Sequence, residues 1–123
     1  MSCKIDYSKD KVIATFEEKI KESEITETFL KIIDTINIIN INAIIFDCSK
    51  TIDYTIPADY MSRVRVVTRF STTWNSKLDF IYVTTNKEII HMMTDIMNHD
   101  QDLKWKYHLF EKKEEALQFL NKN

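Results

Sequence analysis

Ala43-Ile44-Ile45-Phe46 is an unbroken apolar run that stops at Asp47. A strand with no polar positions has no face to give to water, so both of its sides must be covered. In α/β proteins helices do the covering. Phe80-Ile81-Tyr82-Val83 repeats the pattern. The chain is therefore built around a sheet whose inner strands are enclosed.

The rest of the chain supplies the cover. Residues 4–7 and 11–16 alternate polar and apolar around Ser8-Lys9-Asp10, the pattern of a β-hairpin. Ser23 is placed to cap a helix over residues 24–39, in which Ile25, Phe29, Ile32, Ile33 and Ile36 fall on one side; Asn37 or Asn40 closes it. Pro57 fits the first turn of a second helix reaching about residue 70, where its missing N–H is harmless. Asn86 caps a third helix ending near Asn98, with Ile89, Met93, Ile96 and Met97 inward. Residues 107–110 make a last strand, and Ala116, Leu117 and Leu120 the inner stripe of a terminal helix. The predicted order is β-β-α-β-α-β-α-β-α. It describes one α/β domain over residues 1–123, with a mixed, mainly parallel central sheet and right-handed crossovers.

Composition removes whole classes of chemistry. No glycine is present, which excludes the P-loop, the dinucleotide fingerprint, the EF-hand turn and the hydrolase nucleophile elbow. Turns that need positive φ fall to Asn or Asp, with Asp10, Asn40, Asn75 and Asn98 as candidates. The 18 isoleucines, with abundant Lys and Asn, point to a host with A/T-rich codons rather than to a mechanism. Seventeen basic against 19 acidic residues give a net charge of −2, which argues against a general affinity for nucleic acid or acidic membrane, though not against a local basic patch. Cys3 and Cys48 have no CxxC spacing, so neither a zinc knuckle nor a redox motif is expected, and Cys48 reads as a small buried side chain. The N-terminus lacks a signal-peptide core and no stretch approaches a membrane span, so a cytoplasmic location is expected.

The order of elements resembles the small proteins similar to the anti-sigma-factor antagonist of sporulation (SpoIIAA-like), within the wider STAS-like family. The resemblance rests on the leading hairpin and on Ala43-Ile44-Ile45-Phe46-Asp47-Cys48-Ser49, similar to the family's strand ending in Asp-x-Ser. It also rests on Phe110 and Glu114-Glu115-Ala116-Leu117-Gln118-Phe119-Leu120, similar to its closing strand and helix. The resemblance implies a non-enzymatic regulatory module of the kind known in bacteria, needing no cofactor. Its members bind a protein partner through the loop and helix after the Asp-x-Ser strand, and serine phosphorylation there releases the partner. That loop corresponds to residues 50–57 here. Ile56-Pro57 stands where the family has an Asp-Ser pair, leaving Thr51, Tyr54 and Thr55 as the loop hydroxyls and Thr55 as the one for a phospho-switch. A related branch resembles the lipid-carrying SEC14-type fold.

Several clusters are candidates for function. Arg65 and Arg69 lie within about 40° of each other on the second helix, with Ser62 on the same side and Met61, Val64, Val67 and Thr68 towards the core. Paired guanidinium groups suit a carboxylate or phosphate, although a solvated face is the commoner use of such a stripe. Arg63 lies on another side of the helix. His91, Asp95 and His99 follow i, i+4, i+8 spacing on the third helix, but the stripe drifts by about 80° and reads as a polar face rather than a metal site. Asp47, Asp53 and Asp59 surround the end of the central strand, where open α/β sheets place ligands. Met61, Met92, Met93 and Met97 suggest an adaptable lining, with core filling the simpler reading. Trp74, in a polar loop, is a natural partner anchor or a cover for the sheet edge.

The expected function is docking of a protein partner through Thr51, Asp53, Tyr54, Thr55, Arg65 and Arg69, with Tyr54 or Tyr60 giving apolar contact. A second reading is a carrier of a small apolar ligand in a cavity lined by Met93 and Met97. A third and weaker one is a hydrolase-type enzyme using the aspartates. A homodimer through an exposed sheet edge is compatible with each.

Overall fold

The protein is described by a computed structural model covering residues 3–8, 10–35, 40–72, 77–98 and 105–121. The hairpin is present as β1 (Cys3–Ser8) and β2 (Lys11–Phe16), paired antiparallel with Ser8 opposite Lys11. It is followed by β3 (Lys19–Ile20), α1 (Glu24–Thr35), β4 (Ala43–Asp47), β5 (Asp53–Tyr54) and α2 (Tyr60–Thr72). The remaining elements are β6 (Asp79–Val83), α3 (Lys87–Asn98), β7 (Lys106–Phe110) and α4 (Lys113–Asn121). Ile36, Asn37, Trp74, Asn75 and His99 lie outside the described residues, as do the side chains of Val67 and Thr68.

The main sheet has the order β1-β2-β4-β6-β7, with β1 antiparallel and every other pairing parallel. Because this order advances in one direction, right-handed crossovers carry α1, α2 and α3 over the same face. Side chains alternate between the faces accordingly. Val12, Ala14, Phe16, Ile44, Phe46, Phe80, Tyr82 and Tyr107 enter the core under those three helices. Ile45, Ile81 and Val83 point the other way, where α4 meets them through Ala116, Leu117, Phe119 and Leu120. The result is three layers around β4, all five of whose residues are buried.

The helix starts follow local rules, with two departures. Asn86 Oδ1 accepts the Glu88 and Ile89 N–H groups at 3.0 and 3.1 Å, so α3 carries the cap its sequence announces. Ser23 holds the N-cap position of α1, since its carbonyl accepts the Glu27 N–H at 2.9 Å. Its hydroxyl, however, donates to Glu27 Oε1 at 2.7 Å rather than accepting from the backbone. The second departure is at Pro57. It does not open α2 but precedes it, buried, in a turn closed by the Tyr60 N–H on the Pro57 carbonyl at 3.2 Å. The sequence reading also had no counterpart for β3 and β5, which pair parallel as a separate two-stranded ladder, Lys19 opposite Asp53 and Ile20 opposite Tyr54.

The larger core is aromatic. Phe46 meets Phe16, Phe80 and Tyr82 at ring distances of 5.3, 4.9 and 5.4 Å. Phe46→Ala should therefore cost ~3–5 kcal/mol, read as a fall in unfolding free energy by urea titration. A loss below about 1 kcal/mol would mean that this cluster does not hold the sheet to its helices.

Candidate functional site

The carboxyl end of β4 opens into a loop of residues 48–59 that the backbone holds at many points. Asp47, buried, accepts the Ser49 N–H on Oδ1 at 3.0 Å, which turns the chain as it leaves the strand. Thr51 N–H bonds the Cys48 carbonyl at 3.0 Å, and Thr51 Oγ1 donates to the Glu17 carbonyl at 2.9 Å. Ile52 and Asp53 both donate their N–H groups to the Glu18 carbonyl, at 2.9 and 3.1 Å. Asn86 Nδ2 reaches the Ile52 carbonyl at 3.4 Å. The β3–β5 ladder adds a further tie. The loop is thus fastened to the β2–β3 turn on one side and to the start of α3 on the other. From this frame Ile52 projects at 74 % exposure, the most exposed of the large apolar side chains described.

The residues expected to form one docking surface are split by this geometry. Asp53, Thr55 and Arg69 are exposed and Arg65 is half-buried. Thr51 and Tyr54 are buried, at 5 % and 4 % exposure, so neither offers a side chain to a partner. Thr51 is spent on fastening the loop, and Tyr54 packs into the core under the helices. At 1.5 Å rise per residue, Arg69 also stands about 14 Å along α2 from Tyr60, away from the loop. Thr55 shares a surface groove with Glu17, Glu18, Glu24 and Asp53, set against Lys19 and Lys21.

Asp47 turns the loop, Asp53 lies exposed in β5, and Asp59 pairs with Arg63 Nε at 2.9 Å. Among the described strands the order of the main sheet never reverses, so it has no switch point. On α3, His91 is exposed while Asp95 accepts the Tyr60 hydroxyl. Among the described residues no group of three His, Cys, Asp or Glu side chains is arranged to hold a metal, and no helix is long and apolar enough to cross a membrane.

A cavity of about 60 Å³ lies between α1, α2, α3 and the sheet. Its wall is aromatic, with Phe29, Phe46, Tyr54, Phe80, Tyr82 and Trp105, and Met92 and Ile96 close it from α3. Met93 does not line it, being fully buried in the core, and Met97 packs half-buried elsewhere against that core. On α2, Met61 and Val64 are half-buried against this core. Arg63, which the helical wheel set apart from any site, lines this cavity beside Tyr60 and Val64.

This arrangement of sheet, helices and loop has a counterpart among solved structures. An uncharacterized protein of the DUF3478 family from Shewanella loihica PV-4, with a SpoIIAA-like fold, superposes with a TM-score of 0.55. The match covers 96 % of this chain and 91 % of that one at 10 % identity. The fold is SpoIIAA-like. No family model matches the sequence, and no curated protein matches it. The SpoIIAA-like fold agrees with the resemblance read from the leading hairpin, the Asp47-Cys48-Ser49 strand end and the closing helix. At this identity the likeness speaks for the fold alone.

Within this SpoIIAA-like domain α2 is pinned to α3 by the Tyr60–Asp95 hydrogen bond, which raises the Tyr60 pKa. Burial drives Tyr54 and Tyr82 upward as well. A phenol whose pKa is raised by folding contributes stability that is complete below the ordinary value of 10 and is lost as pH climbs through the folded values. Alkaline titration of phenolate absorbance should show Tyr54, Tyr60 and Tyr82 ionising late, with stability falling above pH 10. Tyr60→Phe should remove one of the late phenols. Five tyrosines titrating together near pH 10 in the folded chain would contradict these environments.

Proposed function

We propose that this SpoIIAA-like domain is a non-enzymatic regulatory module that docks a protein partner through the loop of residues 48–59, with the exposed side of α2 as a flank. The observation that carries this reading is the combination at Ile52. The backbone around it is bonded to Glu18 and Asn86, yet its side chain stands 74 % exposed. Burying that side chain against a partner gains apolar area while little loop entropy is lost, because the loop is already ordered. Lys50, Asp53 and Thr55 are exposed beside it as a polar rim, and Arg69 is exposed farther along α2.

The cavity under α2 favours, second, a small apolar ligand. At about 60 Å³ it has room for roughly two water molecules, below the ~150 Å³ that accommodates benzene in an engineered core. Carriage of an acyl chain would require α2 to move outward. Native mass spectrometry separates the readings, since a carrier retains extra mass on the intact chain.

The docking reading is tested once a partner has been purified. Isothermal titration should show Ile52→Asp weakening binding at least about tenfold with an unchanged melting temperature. Arg69→Glu should cost less and mainly change the salt dependence. Undiminished affinity in Ile52→Asp would remove the loop from the interface.

A further inference from the structure

The cavity under α2 carries polar groups as well as an aromatic floor. Tyr54 and Tyr82 both line it, and both are buried. Burial is the chief cause that raises the pKa of each phenol, and no hydrogen bond acts on either hydroxyl among the described residues. Buried polar groups as a rule have a partner. Each phenol stays protonated at neutral pH and keeps an O–H to donate. Arg63 lines the same space with its side chain 33 % exposed, so it stands between the cavity and solvent. Its charge is felt at Tyr54. Asp59 takes Nε at 2.9 Å, which leaves the Nη donors of the guanidinium. The Tyr60 hydroxyl, on the same wall, is spent on Asp95.

Resting on the second reading above, of a small apolar ligand under α2, we propose that the ligand is a short-chain monocarboxylate. Its carboxylate sits on Arg63 and Tyr54, and its alkyl end lies over Phe29, Phe80 and Trp105. A planar carboxylate matches the two Nη groups of a guanidinium and has a lone pair left for a phenol O–H. A phosphate carries more charge than one guanidinium, already shared with Asp59, can offset. An ammonium would meet the Arg63 charge.

The space sets the length. A cavity of ~150 Å³ accommodates the six carbons of benzene, or about 25 Å³ per carbon. At that ratio 60 Å³ takes roughly two to three alkyl carbons, the ethyl group of propionate or the propyl group of butyrate. Phe29, Phe80 and Trp105 pack on one another with ring centroids 5.6, 5.6 and 6.1 Å apart, so the floor does not yield to a longer chain.

The test is an NMR titration of the full chain with sodium propionate, with ionic strength held constant by sodium chloride. Saturable shifts are expected at the Trp105 indole and the Met92 methyl, both on the wall. Butyrate should bind too, while hexanoate and the neutral isostere propionamide should bind at least about tenfold more weakly. Arg63→Met keeps the alkyl stem and should weaken propionate at least about tenfold. Its melting temperature should hold, because an exposed pair such as Asp59–Arg63 adds little stability. Tyr54→Phe, which keeps the ring, should weaken propionate several-fold. Xenon enters dry apolar cavities without a head-group contact and so reports on the space itself. It should bind the wild-type chain and Arg63→Met alike. Xenon binding without propionate binding in the wild-type chain overturns the carboxylate and leaves an apolar ligand standing. Failure of both overturns the carboxylate and the apolar ligand together. Propionate that binds Arg63→Met undiminished removes the head-group site, and hexanoate binding more tightly than propionate removes the length limit.

Discussion

Phe80 is the side chain on which the helical layer rests. Its ring touches those of Phe29, Phe46, Tyr82, Trp105 and Tyr107, and so joins β4, β6, β7 and α1 in one packed cluster. Large rings fill the space over a twisted sheet with few side chains, and edge-to-face contacts such as Phe46–Phe80 fix their orientation. With the strands fixed by this cluster, their carboxyl ends are fixed as well. Cys48 N–H bonds the Val83 carbonyl at 2.8 Å and Thr84 N–H the Phe110 carbonyl at 2.9 Å, extending strand pairing into the first residues beyond β4 and β6. The loop of residues 48–59 therefore begins from a rigid edge.

The same layer is least well filled under α2. Of that helix, Tyr60, Arg63 and Val64 line the cavity over the aromatic floor opposite. Two polar contacts offset the weak apolar seat. Asp59 and Arg63 tie its first turn, and Tyr60 and Asp95 bind it to α3. Burial pushes the Cys48 thiol pKa up, and the side chain fills space in the core at the start of the loop of residues 48–59.

Most of the layered fold was legible because burial writes a period into the chain. Val12, Ala14 and Phe16 alternate because only one side of β2 meets the helices, and the run from Ala43 to Phe46 is unbroken because β4 is covered on both sides. Asn86 declared a cap because its side chain can do little else at that position. The site was far less legible. Ile52 reads as one more isoleucine among 18, and its exposure depends on Glu18 and Asn86, which lie 34 residues away on either side. Thr51 and Tyr54 looked like surface residues in a polar loop because the two-residue ladder that turns Tyr54 inward is too short to leave a pattern. Arg63 was discounted on a helical wheel, which knows the angle of a side chain but not the depth of the space beneath it.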